Sequence, residues 1–232
     1  MTPEGTVSRR FYGRRHGRKL RAGRKRLLKD LLPGIQIESG EGELCPKELF
    51  PGNPVQKWLE IGFGSGEHLA AQAAAHPEVG IVGCEPFING VASLLNEIQA
   101  KGLHNVRVYP DDARDIIDRV PSATFDRVFL LFPDPWPKSR HSSRRFISAE
   151  NLDSLARVIR DDGEFRFASD EMGYVQWTLQ HVRRHGEFLW TAKSIRDWNE
   201  RPSDWQATRY ESKAQADGRH CVYLGFRRRK RL

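Results

Sequence analysis

Residues 56–66 read Gln56-Lys57-Trp58-Leu59-Glu60-Ile61-Gly62-Phe63-Gly64-Ser65-Gly66. An apolar-rich run ends in three glycines at alternate positions. The run reads as a β-strand, and the glycines as a sharp turn that brings backbone close to a ligand. The Ala-rich stretch 65–76 then supplies a helix whose N-terminus faces the turn. A dinucleotide fingerprint would place its third glycine one residue later, and a P-loop would need Gly-Lys-Ser/Thr.

Working outward, strand-like and helix-like stretches alternate. Residues 79–85 (VGIVGCE) read as a strand. In 88–101, Ile88, Val91, Leu94, Leu95 and Ile98 fall at helical spacing. Residues 106–109 read as a strand, 114–120 as a helix, and the near-continuous apolar run 125–132 as a central parallel strand. A helix over 148–160, a turn at Asp161-Asp162-Gly163, a strand over 164–168 and a helix over 171–185 follow. Late strands are predicted over 189–194 and 221–227, with a polar, Trp-containing insertion near 195–215 between them. The order predicts an α/β, doubly wound, Rossmann-like sheet, mostly parallel with an antiparallel late strand, and a ligand at the carboxyl ends of the strands.

Each of the first strands ends at an acid. Glu60 precedes the first glycine, Glu85 closes the second strand, and Asp111-Asp112 follows the third. An acid-x-Gly-x-Gly-x-Gly strand end resembles the first motif of S-adenosylmethionine (SAM)-dependent methyltransferases. That cofactor carries an amino group and a sulfonium, which a carboxylate such as Glu60 can offset. Glu85 could accept from ribose hydroxyls, as in dinucleotide folds, and Asp112 from an adenine amino group. Taken singly, each acid is more readily a helix cap or a turn residue than a ligand group; all three at successive strand ends point to a ligand.

The fourth strand leads into Phe132-Pro133-Asp134-Pro135-Trp136-Pro137-Lys138-Ser139-Arg140-His141, with Arg144 and Arg145 just beyond. Three prolines fix φ and stiffen the loop, presenting Asp134 and Trp136. Lys138, Arg140, His141, Arg144 and Arg145 form a candidate phosphate clamp. This segment, the 60–70 stretch and Thr208-Arg209-Tyr210-Glu211 closely resemble the bacterial tRNA (guanine-N7)-methyltransferases over about residues 56–226.

The resemblance implies methyl transfer from SAM to N7 of a guanine in the tRNA variable loop, position 46, with S-adenosyl-L-homocysteine as product and no metal. It implies that Glu60, Gly62, Gly64, Gly66, Glu85, Asp112 and Asp134 line the cofactor site, with Asp134 catalytic. Lys138, Asp170, Thr208, Arg209, Tyr210 and Glu211 would meet the substrate. Asp170 also follows a strand end, so it is well placed on independent grounds. Trp136 or Tyr210 could stack on an unstacked base.

The chain has 232 residues, with 38 Lys or Arg against 30 Asp or Glu. Residues 1–30 hold eleven Lys or Arg against Glu4 and Asp30, a balance of +9. Residues 227–231 add +5, and the body between carries 22 basic residues against 28 acidic, or −6. The expected organisation is a basic, disordered arm over 1–30, a lead-in over 31–54, and a methyltransferase domain over 55–232 with a basic tail. Both basic ends are expected to meet tRNA phosphates. Apolar runs long enough for a membrane span, a signal peptide and paired cysteines are all missing from the sequence. A cytoplasmic protein is therefore expected, monomeric or homodimeric, with no protein partner required. Two rival readings stand beside the main one: a SAM-dependent enzyme acting on another RNA, a protein or a small molecule, and a tRNA-binding protein without turnover.

Overall fold

The computed structural model describes residues 11–50 and 52–231. Three short helices precede the sheet: α1 (Ala22–Asp30), α2 (Leu32–Ile35) and α3 (Pro46–Leu49). Then β1 (Gln56–Ile61), α4 (Glu67–Ala75), β2 (Val79–Cys84), α5 (Ile88–Lys101), β3 (Val106–Tyr109), α6 (Ala113–Arg119) and β4 (Phe125–Leu131) alternate. A 3-10 turn over Ser139–Arg144 leads to α7 (Ala149–Val158), β5 (Ile159–Ser169), α8 (Met172–His185), β6 (Phe188–Trp190), α9 (Arg196–Asn199), α10 (Arg209–Ala216) and β7 (Val222–Arg228).

The strands form one seven-stranded sheet in the order β3-β2-β1-β4-β5-β7-β6. Strands β1 to β5 run parallel, and β7 is antiparallel to both β5 and β6. The predicted doubly wound sheet with an antiparallel late strand is the one observed. Strand β2 is buried along its whole length because helices cover both faces. One core joins Leu69, Leu94, Leu95 and Leu27, from α4, α5 and α1, to one face of the sheet. The other joins Ile116, Leu155 and Tyr174, from α6, α7 and α8, to the opposite face. A fully buried Leu such as Leu94 contributes about 2 kcal/mol.

Two expectations are corrected. The arm is not disordered throughout: residues 22–30 form α1, and Leu27 is buried. Leu27, Leu28, Leu31 and Leu32 make an apolar stripe that packs with the cluster holding α5, a pattern the local charge count conceals. Residues 1–10 lie outside the described residues. The Asp161–Gly163 turn is an irregularity inside β5, where pairing passes from Phe125↔Ile159 to Arg127↔Glu164 and Asp162 takes φ 63°. Pairing on both sides of the kink keeps the segment in the sheet.

Candidate active site

The site is built at the carboxyl ends of β1 to β5. Gly62, Gly64 and Gly66 all take positive φ, at 69°, 57° and 82°. A Cβ on Gly66 would lie 2.7 Å from Leu94 Cβ, so this position also sets how closely the loop packs on α5. A Cβ on Gly90 would fall 2.1 Å from the Gly64 carbonyl oxygen. Gly90 therefore lets α5 press against the loop. The stretch 86–90 held no diagnostic signal in sequence, apart from a glycine inside a helical pattern.

Most of the predicted acids are engaged by the protein itself. Glu60 is 3% exposed, and its Oε2 lies 2.8 Å from His68 Nδ1. Glu85 accepts from the Gly64 and Phe87 backbone amides, each at 2.8 Å. Burial raises its pKa above the ordinary carboxylate value despite those two bonds. Asp112 caps α6 through the Arg114 amide and is gripped by the Arg114 guanidinium. Asp170 is held by Arg219, and Asp111 pairs with Arg15 at 2.8 Å.

Asp134 differs from all of these. It is exposed, and no hydrogen bond or ion pair engages it among the described residues. Its charge reaches Glu85 and Tyr210, at the same end of the sheet. Trp136, at φ 42°, packs edge-on to Tyr12 and His141. The Arg144 guanidinium lies 4.8 Å and 4.9 Å from the Tyr12 and Trp136 ring centroids.

The predicted cation cluster divides. Arg145 is nearly buried and donates to the Pro135 and Trp136 carbonyls. It braces the proline loop, so its place in a phosphate clamp is withdrawn. Lys138 and Arg140 are exposed without a partner among the described residues. Partial desolvation and the charges of Arg144, Arg140 and Lys138 push the His141 pKa down.

The 208–211 stretch also divides. Thr208 caps α10 by accepting from the Glu211 amide. Glu211 is 2% exposed and accepts from the Tyr223 hydroxyl at 2.6 Å. Arg209 points outward near Glu67. Tyr210 is 60% exposed and its ring lies over the glycine loop, 3.3 Å from where a Gly64 Cβ would sit. Desolvation and the nearby Glu85, Asp134 and Glu67 raise its pKa, so it stays a neutral phenol.

The N-terminal segment reaches this end of the sheet as a strap. The Arg15 carbonyl accepts from the Ile88 amide, the Gly17 amide donates to Asn89 Oδ1, and Asn89 Nδ2 donates to the Arg18 carbonyl. The C-terminal tail does not. Strand β7 runs antiparallel, so the tail emerges at the opposite end, where Arg231 donates to the Ala156, Arg157 and Ile159 carbonyls. Any tRNA phosphates met by this tail would therefore lie away from the carboxyl ends of the strands; its Arg227 and Arg229 are exposed without a side-chain partner among the described residues.

The donor set fits SAM: carboxylates at successive strand ends suit an ammonium and ribose hydroxyls. The space where a Gly62 Cβ would point is open for a ligand. Among the described residues, no group of three or more His, Cys, Asp or Glu is arranged to hold a metal ion, and no helix is long and apolar enough to cross a membrane.

Strand order, glycine loop and strand-end acids together define a methyltransferase of the doubly wound class. The family described as "Putative methyltransferase" matches residues 55–224. The antibiotic-resistance methyltransferase Kmr shares the fold with a TM-score of 0.55 at 17% identity, over 85% of this chain and 99% of that one. A tRNA (guanine-N(7)-)-methyltransferase of Rhodospirillum rubrum is 53% identical, covering 100% of this chain and 92% of the relative. One from Roseobacter denitrificans is 48% identical over 97% and 99%. The chain belongs to the tRNA (guanine-N7)-methyltransferase family.

Proposed function

We propose that the protein transfers the methyl group of SAM to N7 of a guanine in tRNA, at position 46 of the variable loop, forming 7-methylguanosine. The observation that carries this reading is Asp134: it is the predicted strand-end acid left without a partner among the described residues. Its charge reaches Glu85 and Tyr210, and it comes just before the exposed cations Lys138 and Arg140 in the chain.

Glu60 and Glu85 would hold the cofactor's amino group and ribose, with Asp112 near the adenine. When bound, SAM supplies an electrophilic methyl on a sulfonium, and S-adenosyl-L-homocysteine is the product. Guanine N7 already carries an in-plane lone pair, so no general base is needed. The protein's task is alignment and management of the positive charge that appears on the base. Asp134 offsets that charge and orients the base. Tyr210 offers the exposed ring for stacking, while Trp136 is packed between Tyr12 and His141. Lys138, Arg140 and Arg209 supply cationic contacts to the RNA.

The test is incubation of bulk tRNA with tritiated SAM, followed by nucleoside analysis and mapping. Label in 7-methylguanosine at position 46 is expected. Label in any other nucleoside, or in protein, overturns the proposal. Asp134→Asn should lower kcat by about a hundredfold or more, the loss typical of a group aimed at developing charge.

A further inference from the structure

We propose that His68 is a positioning residue that ties Glu60 to the 204–211 segment, so that cofactor acid and substrate-facing insertion share one buried network. This rests on the reading of Glu60 as a SAM-site acid.

His68 is 1% exposed, in the first turn of α4. A carboxylate as buried as Glu60 needs a donor, and His68 Nδ1 at 2.8 Å is the partner present. Donation from Nδ1 to Glu60 leaves Nε2 on the far side of the ring, facing away from the carboxylate. Glu60 Oε1 has no protein partner among the described residues, which leaves it available to an ammonium.

His68 Nε2 is buried without a partner, and so are Gln72 Oε1 and Trp205 Nε1. The three belong together. His68 and Gln72 are one turn apart on α4, on the same face. Gln72 Nε2 donates to the Asp204 carbonyl, beside Trp205. The His68 and Trp205 rings lie 6.0 Å apart, edge to face.

The network continues to the surface of the site. Arg209 lies 3.4 Å from Glu67, next to His68, and the Tyr210 ring rests against Gly64. Glu67 and Gln72 of α4 thus contact the 204–209 stretch, and His68 between them joins that contact to Glu60. Sequence reading missed His68 because its partners are eight and 137 residues away.

The full-length chain is compared with His68→Asn, His68→Leu and Trp205→Phe. The readouts are calorimetric SAM affinity without tRNA, thermal melting, and kcat and KM for tRNA. His68→Leu, which removes the donor to Glu60, should weaken SAM binding about tenfold, as for a lost bond to a charged group. His68→Asn keeps a donor where Nδ1 stood, so its SAM affinity should stay within about twofold, a few tenths of a kcal/mol. It loses the Nε2 side, so like Trp205→Phe it should raise KM for tRNA about threefold with kcat little changed. The double variant should be no worse than either single one.

Equal loss of SAM affinity in the Asn and Leu variants would mean that His68 only fills space, and would overturn the inference. So would unchanged affinity in the Leu variant. Should the Leu variant fail to fold, the decision passes to His68→Asn and Trp205→Phe, whose additive effects on tRNA KM would overturn it. If the unmodified chain binds no SAM, the reading of the site itself falls, and this inference with it.

Discussion

Near the C-terminus, Arg228 donates to the Ala156 carbonyl and pairs with Glu187, while Arg231 holds three carbonyls and Asp161. Near the N-terminus, Arg14, Arg18, Lys19, Arg21 and Arg24 are exposed, with no side-chain partner among the described residues. In sequence the two ends carry the same signature, a dense run of basic residues. In the fold, Arg228 and Arg231 of one end are tied to the α7–β5 junction, and the other end lies at the carboxyl ends of the strands with those five charges unpaired among the described residues. Charge density therefore does not identify a polyanion-binding arm. What identifies it is charge the protein has not already neutralised.

The largest effect that could break this contrast comes from the arm. Replacing Arg14, Arg18, Lys19, Arg21 and Arg24 together with Ala should weaken tRNA binding about a thousandfold at low salt and flatten its salt dependence by several units. Calorimetric SAM affinity and melting temperature should stay as they are. A steep salt slope in the variant would move the tRNA path elsewhere.

Next in size is the matching change at the other end. Arg228 is 6% exposed, and its loss removes a packed side chain, one of two donors to the Ala156 carbonyl and the partner of the half-exposed Glu187. Arg228→Ala should cost about 2 kcal/mol in urea unfolding. The folded fraction should bind tRNA with an unchanged salt slope. If stability held and the slope fell, the roles of the two ends would be reversed.

These two outcomes show what was legible beforehand. Strands β1, β2 and β4 and helix α5 were visible because an apolar period or an unbroken apolar run states them locally. The positions of Glu60, Glu85, Asp112 and Asp134 followed, since strand ends bring them together. The state of each carboxylate did not follow. Arg114, Arg219 and His68 decide which acids are engaged, and nothing in residue type marks them as partners. The engagement of Arg228 and Arg231 was hidden for the same reason: backbone carbonyls, their main acceptors, have no sequence signature. Gly90 escaped because its constraint is a distance of approach to the Gly64 carbonyl, set by tertiary packing.

A pH series sharpens the contrast between the arm and the acidic site. Arm Arg and Lys side chains keep their charge from pH 5 to 8. In the proposed site Glu85 would accept from ribose as a carboxylate, and burial has raised its pKa above the usual 4.5. Acidification protonates it earlier than an exposed Glu, so SAM affinity should begin to fall while the solution is still above pH 4.5. The loss should reach about tenfold one unit below its apparent pKa. Glu85→Gln should bind SAM weakly and without that pH dependence. A parallel fall in the pH-dependent tRNA affinity of the arm would erase the distinction.

The smallest expected effect concerns how the arm is attached. Arg15 and Asp111 form an ion pair whose side chains are 47% and 39% exposed, so solvent and salt screen it. A double-mutant cycle with Arg15→Ala and Asp111→Asn should yield a coupling below about 1 kcal/mol that fades at high salt. The attachment that matters is neutral: Asn89 donates to the Arg18 carbonyl and accepts from the Gly17 amide, and the Ile88 amide holds the Arg15 carbonyl. Asn89→Ala removes two of these bonds at once. Trypsin should then cut after Arg18, Lys19 and Arg21 several times faster, while Arg15→Ala alters that rate little. A strap fastened through its backbone keeps its cations for phosphate, which is the physical difference from the tail. Were Arg15→Ala to release the arm as fully as Asn89→Ala, the arm would be held by charge, and phosphate would compete with its own anchor.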